Sequence, residues 1–288
     1  MADPLASAGG GRLSPAVYDS DRRSPLLLTE LANFWNYRAL IRLLVTRDVL
    51  VRYKRSLLGV WWTLLNPLLT MTVMWLVFSH LFRFAVGFSG VPYVVYLLSG
   101  VIVIIFFQQG VETVASSIVL NTPVLSKVYV PAEAFALSAG LAAAINLLLS
   151  AIPLLIFQLA LGVGIPWTIL LVPLPILALL CLSVGLGLVV ASIAVRFHDV
   201  LDFNRVILLL IGYMTPVFYL IAIVPHAFRH VIELNPVYYD LVLFRNLIYG
   251  DSLSSWQTWV AAFGSGIIVL SIGLAVFARN WRTAAAMI

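Results

Sequence analysis

The sequence is poor in charge. Charged side chains make up only 10% of its 288 residues, against about 25% in soluble domains. From Ala134 to Val195 there is no Asp, Glu, Lys or Arg, a run of 62 residues. That is about three times the ~20 needed to cross a bilayer. The run excludes a soluble globular domain and implies two helices and a turn in lipid. Cysteine is nearly absent: Cys181 stands alone in an apolar stretch. No disulfide can close within the chain, and no cysteine cluster can hold a metal. There is no G-x-x-x-x-G-K-[ST] loop, so the chain does not itself cradle nucleotide phosphates in the usual way. There is no H-E-x-x-H. His226 and His230 have i, i+4 spacing but no third ligand beside them, and read as surface residues. No signal-peptide pattern opens the chain; residues 1–30, rich in Pro, Ser, Gly, Asp and Arg, read as a disordered cytoplasmic tail.

What remains is an all-α integral membrane protein. Residues 31–56 are expected to form an amphipathic interface helix. At 100° per residue, Arg38, Arg42, Asp48, Arg52 and Arg55 share one arc of about 140°, with Arg47 and Lys54 off it. Such a helix lies on a membrane with its arginines reaching the headgroups. A domain over 57–282 then carries six transmembrane helices, at about 58–82, 91–107, 134–161, 167–195, 206–224 and 256–277. Residues 108–133 are too polar for lipid and read as a cytoplasmic segment. Residues 196–205 read as a short charged loop, residues 225–255 as a longer semi-polar connection, and residues 283–288 as the cytoplasmic C-terminus. None of the six spans contains a charged side chain, which argues against a proton-coupled carrier or ion pump. With the N-terminus inside, fourteen Lys and Arg fall in the cytoplasm and only Arg83, Arg229 and Arg245 outside, so the positive-inside rule fixes the orientation.

Aromatics are plentiful, with 8 Trp, 11 Tyr and 16 Phe. Many sit at span ends, as interfacial belts require. In the first span, Trp61, Thr72, Trp75, Ser79 and Phe82 fall on one helical stripe with Leu65 and Leu68. Rings stack on the C–H faces of sugars and hydroxyls meet their hydroxyls, so the stripe fits a glycan path, with Tyr219 as its facing wall. A packed helix interface is the alternative.

The run from Arg52 to Pro67, RYKRSLLGVWWTLLNP, resembles the entry to the first span in permeases of type-2 ABC exporters. It is most similar to the branch that exports polysaccharides such as O-antigens, teichoic acids, capsules and galactan. Arg52, Tyr53, Ser56, Leu58, Gly59, Trp62, Leu65 and Pro67 match its pattern R-Y-x-x-S-x-L-G-x-x-W-x-x-L-x-P. Leu125–Pro131 resembles the K-V-x-x-P segment before the third span. Thr215-Pro-Val-Phe-Tyr219, Leu234-Asn-Pro236 and Arg245 resemble the T-P-V-x-Y … N-P … R series. Arg196-Phe-His-Asp199 resembles F-R-D, but with His198 where Arg is usual.

The resemblance implies roles. This chain pairs with a second copy, and two separate ABC ATPase subunits drive it. No cofactor sits in this chain; ATP and Mg belong to the partner. Asn121, Lys127, Tyr129, Pro131 and Glu133 correspond to the segment that couples to the ATPase. Short external gate helices stand between spans five and six, with Asn235, Pro236 and Arg245. The expected function is export of a lipid-linked polysaccharide across the bacterial cytoplasmic (inner) membrane. The Ala/Val-rich run Leu182–Val195 and the Gly/Ala/Arg-rich tail suggest high-GC coding and so favour a cell-wall galactan. Two other readings stand beside it: a permease for a lipid or drug, and a membrane glycosyltransferase using external acids among Glu233, Asp240 and Asp251.

Overall fold

The computed structural model of the chain describes residues 37–54, 58–78, 91–125, 132–250 and 253–285, apart from the side chains of 52–53, 122–125 and 281–285. Every regular element of any length among them is helical. In order these are α1 (Arg38–Tyr53), α2 (Trp61–Leu76), α3 (Tyr93–Leu125), α4 (Ala132–Ala160), α5 (Pro173–Ala194), α6 (Asp199–Met214), α7 (His226–Glu233), α8 (Pro236–Tyr249) and α9 (Trp256–Ala285). A 3₁₀ segment, Trp167–Leu171, leads into α5.

α3 is the centre of the bundle. It packs against α2, α4, α5, α6 and α8, and Leu97, Phe107, Val111, Val114 and Ile118 along it have no exposed surface. α9 lies along α5 at close range. A Cβ on Gly185 of α5 would sit 2.6 Å from the α9 backbone at Val269, so only glycine permits this approach. α1 lies against α4 through Ile41 and Leu44, both buried. Asp48 pairs with Arg47 at 2.8 Å and lies 3.5 Å from the Ser138 hydroxyl of α4. Arg38 and Arg42 stay exposed. Arg55 and the Arg52 side chain lie outside the described residues.

Among the described residues four helical stretches are long and apolar enough to cross a membrane: Tyr93–Asn121, Ala132–Ala160, Trp167–Ala194 and Trp256–Asn280. They correspond to the expected second, third, fourth and sixth spans. α2 and α6, the expected first and fifth, have 16 residues each and reach about 24 Å at 1.5 Å per residue, short of the ~30 Å hydrocarbon core. The last part of the expected first span, 79–82, lies outside the described residues.

Three boundaries differ from expectation, each for a physical reason. Residues 108–125 continue α3 as helix. Their polar side chains bond back to their own turns: Thr113 to the Gln109 carbonyl, Ser116 to that of Glu112, and Asn121 to that of Ser117. The polarity that suggested a loop is satisfied without breaking the helix. α6 begins at Asp199, because Asp199 and Asp202 in its first turn suit a helix N-terminus. It stops at Met214, because Thr215 precedes Pro216 and is held extended at φ −81°, ψ 132°. The helix therefore does not run through Pro216 to Val224. Residues 225–255, read as a semi-polar connection in which the resemblance implies short helices, are helical over 226–233 and 236–249. They fold into α7 and α8, and α8 buries Leu241, Phe244, Asp240 and Arg245 in the bundle.

Candidate functional site

α6 ends at Met214, and the carbonyls just past it need donors. Beyond Met214 the chain is irregular through Leu220. Unwound backbone inside a membrane protein must be satisfied by its neighbours, and here α3 and α8 supply the donors. The Tyr96 hydroxyl donates to the Tyr219 carbonyl at 2.8 Å and reaches that of Pro216 at 3.2 Å. The Tyr93 hydroxyl donates to the Phe218 carbonyl at 2.9 Å. Arg245 of α8 donates to the carbonyls of Pro216 at 2.8 Å, Val217 at 3.1 Å and Tyr96 at 3.1 Å. Its guanidinium also lies 3.6 Å from the Tyr96 ring centre, a cation–π distance. Arg245 is only 7% exposed. Gly100 makes room for it, since a Cβ there would stand 2.6 Å from the guanidinium nitrogen. No carboxylate neutralises this buried cation among the bonds described; the carbonyls past the α6 C-terminus do, as a helix's negative end favours.

Asn235 completes the clamp. Its side chain accepts from the Val237 N–H at 3.1 Å, capping α8, and donates to the Thr215 hydroxyl at 2.8 Å. Pro236 takes the first helical position, where its missing N–H costs nothing. The Thr-Pro, Asn-Pro and Arg elements, scattered over 31 positions from 215 to 245, thus meet at one joint between α6 and α8.

The second feature is a polar seam along α3. One cavity of about 470 Å³ is lined by Arg47 and Asp48 of α1, by Thr113, Ser116, Ser117 and Asn121 of α3, and by Asn146 of α4. Asn146 also lines the next, about 450 Å³, with Trp62, Thr63, Asn66, Gln109 and Ser150. Asn66 and Gln109 line a third, about 350 Å³, with Thr70, Gln108, Glu112, Tyr213 and Phe218. Along α3 the lining runs from Asn121 to Val101, which at 1.5 Å per residue is about 30 Å, the depth of a bilayer's hydrocarbon core. Beside the third cavity Arg205 of α6 bridges Glu112 at 2.8 Å and Asp202 at 2.8 Å. One turn up, Gln108 donates to the Leu208 carbonyl at 2.9 Å.

The family described as ABC-2 type transporter matches residues 39–249, a span that includes both the clamp and the seam. The chain belongs to the ABC-2 type transporter family. Among curated proteins, this ABC-2 type chain is 28% identical over 246 residues to the O-antigen export system permease protein RfbA of Myxococcus xanthus, covering 84% of this chain and 93% of that one. It is 24% identical over 240 residues to the protein of that name from Klebsiella pneumoniae, covering 83% and 90%. It is 24% identical over 243 residues to the capsule polysaccharide export inner-membrane protein CtrC of Neisseria meningitidis, covering 84% and 91%.

The residues expected to act in this ABC-2 type chain fall in several places. Trp61 and Thr72 of α2 are exposed, and the Thr72 hydroxyl donates to the Leu68 carbonyl. Trp75 is partly buried against the core. Ser79 and Phe82 lie outside the described residues. Tyr219 is half-buried, with its hydroxyl at 3.3 Å from the Tyr213 and Met214 carbonyls at the end of α6. Asn121 stands near the end of α3, and Glu133 lies in the first turn of α4. Lys127, Tyr129 and Pro131 between them lie outside the described residues. The acids once open to a transferase role divide: Asp240 is buried, Glu233 lies 3.5 Å from His230, and Asp251 lies outside the described residues.

Sequence reasoning missed Trp62, Asn66, Gln109 and Asn146. The signal was there, since Asn66 and Asn146 are carboxamides set in otherwise apolar helices, where polar groups are expensive.

Proposed function

We propose that this chain is the membrane permease of an ATP-driven export system, carrying a lipid-linked polysaccharide across the bacterial cytoplasmic membrane. The observation that carries the reading is the seam. Over about 30 Å of α3 it sets amides, hydroxyls and aromatic rings among apolar side chains, in a chain of the ABC-2 family. Each sugar hydroxyl moved into a medium without hydrogen-bond partners costs ~4–8 kcal/mol, so a long glycan needs such a lining. A lipid or drug would gain little from it. The export roles named for the relatives support the same cargo class, and composition favours a cell-wall galactan within it. A second copy of the chain would face the first across the path, with Trp61, Thr72, Trp75, Ser79, Phe82 and Tyr219 contributing to its wall.

The driving force comes from a separate ABC ATPase, which binds ATP and Mg. The segment from Asn121 through Lys127, Tyr129 and Pro131 to Glu133 is the docking site, and α1 rests on the same side of the membrane. A cysteine at Ser126 should crosslink to the ATPase subunit in an assembled, active complex. Absence of crosslinking there and at Lys127 would refute the docking assignment.

Six spans complete the topology, with α2 and α6 as the first and fifth and with α7 and α8 as the external gate. Reporter fusions after Gly87 and Gly250 should read outside, and fusions after Thr122 and Asp202 inside. An outside reading at Asp202 would overturn the six-span arrangement.

A further inference from the structure

Asp240 has no place in the clamp or the seam. It lies on α8 with 1% of its surface exposed, and neither carboxyl oxygen has a hydrogen-bond partner among the described residues. Its cage is Val103 of α3, Leu147 of α4, Pro175, Ile176 and Leu179 of α5, and Phe244 of α8. The gap among them has no room for a water molecule. An ionised carboxylate in such a place needs a counterion, and the surrounding helices offer none. α3, α4 and α5 contain no Lys or Arg. α9 meets α8 near Ala262, about 25 Å along the helix from Arg279. Arg245, five residues on, gives its guanidinium to the carbonyls of Tyr96, Pro216 and Val217. From α7, His226, His230 and Glu233 face solvent and Arg229 donates to the Ala222 and Val224 carbonyls, while the 3₁₀ segment carries no charge. The Cys181 thiol of α5 supplies no cation. A metal ion would find one carboxyl among hydrocarbon side chains. The counterion that fits is a proton.

We propose that Asp240 is a proton-binding site, and that the proton it holds is what allows α8 to seat in the bundle. Burial alone pushes this carboxyl well above its ordinary value of 3.8, since desolvation penalises the charged form. Below that ordinary value the seated and released states are both protonated, and the site adds no pH dependence. Above it the released helix gives up the proton while the seated one keeps it. Seating therefore weakens as pH rises, until the seated group ionises too. The inference does not depend on the identity of the cargo.

The test uses the full chain in lipid nanodiscs, wild type against Asp240→Asn, the neutral isostere. At neutral pH the wild type should give the infrared C=O stretch of a protonated carboxyl, and Asp240→Asn should lack it. Hydrogen exchange of residues 236–249 is then followed from about pH 6 to pH 9, taking the ratio of wild type to variant so that intrinsic chemistry cancels. The ratio should climb, approaching tenfold per pH unit. A flat ratio, a missing carboxyl band, or an Asp240→Asn chain that fails to fold would each overturn the proposal.

Discussion

Replacing Arg245 with leucine is expected to abolish export and to loosen α8 from the bundle. Leucine fills part of the space but donates nothing. The carbonyls of Tyr96, Pro216 and Val217 would lose the donor that now reaches them at 3.1, 2.8 and 3.1 Å. The Pro216 carbonyl keeps the Tyr96 hydroxyl at 3.2 Å and the Tyr96 carbonyl keeps the Ser99 hydroxyl at 2.9 Å, but the Val217 carbonyl is left unmet, which costs about 1–3 kcal/mol. Whole domains are stable by only about 5–15 kcal/mol. The Tyr93 and Tyr96 hydroxyls still hold Phe218 and Tyr219, so the loss should concentrate at α8 rather than spread through α3. Arg245→Lys should fall between. An ammonium keeps the charge but lacks the planar fork that serves several acceptors at once. Thermal unfolding of the purified chain should rank wild type above lysine above leucine, with export falling in the same order. A leucine variant with wild-type stability and export would remove the clamp from the account.

The second large effect is expected in the seam. Gln109 and Asn66 line both the second and third cavities, and Asn146 joins the first to the second. Gln109→Leu leaves a side chain of similar size with no donor or acceptor at the junction. Two sugar hydroxyls passing there would lose partners worth about 1–3 kcal/mol each, and export per intact complex should drop at least tenfold. Asn146→Leu should act in the same direction. Neither residue provides a helix cap, so assembly should survive; density-gradient analysis of the complex checks this. Trp75→Ala is the useful contrast. Its ring rests partly on the core, so loss of stability rather than loss of rate would assign it to packing.

Much of this molecule was legible because lipid imposes simple rules. The charge-free run 134–195 becomes α4, the 3₁₀ segment and α5, and the Asn-Pro pair becomes a cap and a first helical residue. The turn implied within that run falls at 161–166, where Gly162, Gly164 and Pro166 stand. What failed to read was polarity that bonds locally. Residues 108–125 read as a segment too polar for lipid because a sequence shows hydroxyls and amides such as those of Ser116 and Asn121 but not the carbonyls one turn away. Arg245 counted as an external charge because the acceptors that bury it come from residues 29 and 149 positions distant. The seam escaped for the same reason. Its amides sit on three helices, and only packing brings Asn66, Gln109 and Asn146 to one line.

The central claim is that this chain and its ATPase move a polysaccharide through the seam. The direct measurement reconstitutes the two in vesicles and follows a labelled lipid-linked glycan against a labelled ordinary phospholipid. The account predicts ATP-dependent transfer of the glycan, little transfer of the phospholipid, and at least a tenfold loss with Gln109→Leu in an intact complex. Equal transfer of both lipids, or glycan export untouched by Gln109→Leu and Asn146→Leu together, would contradict it.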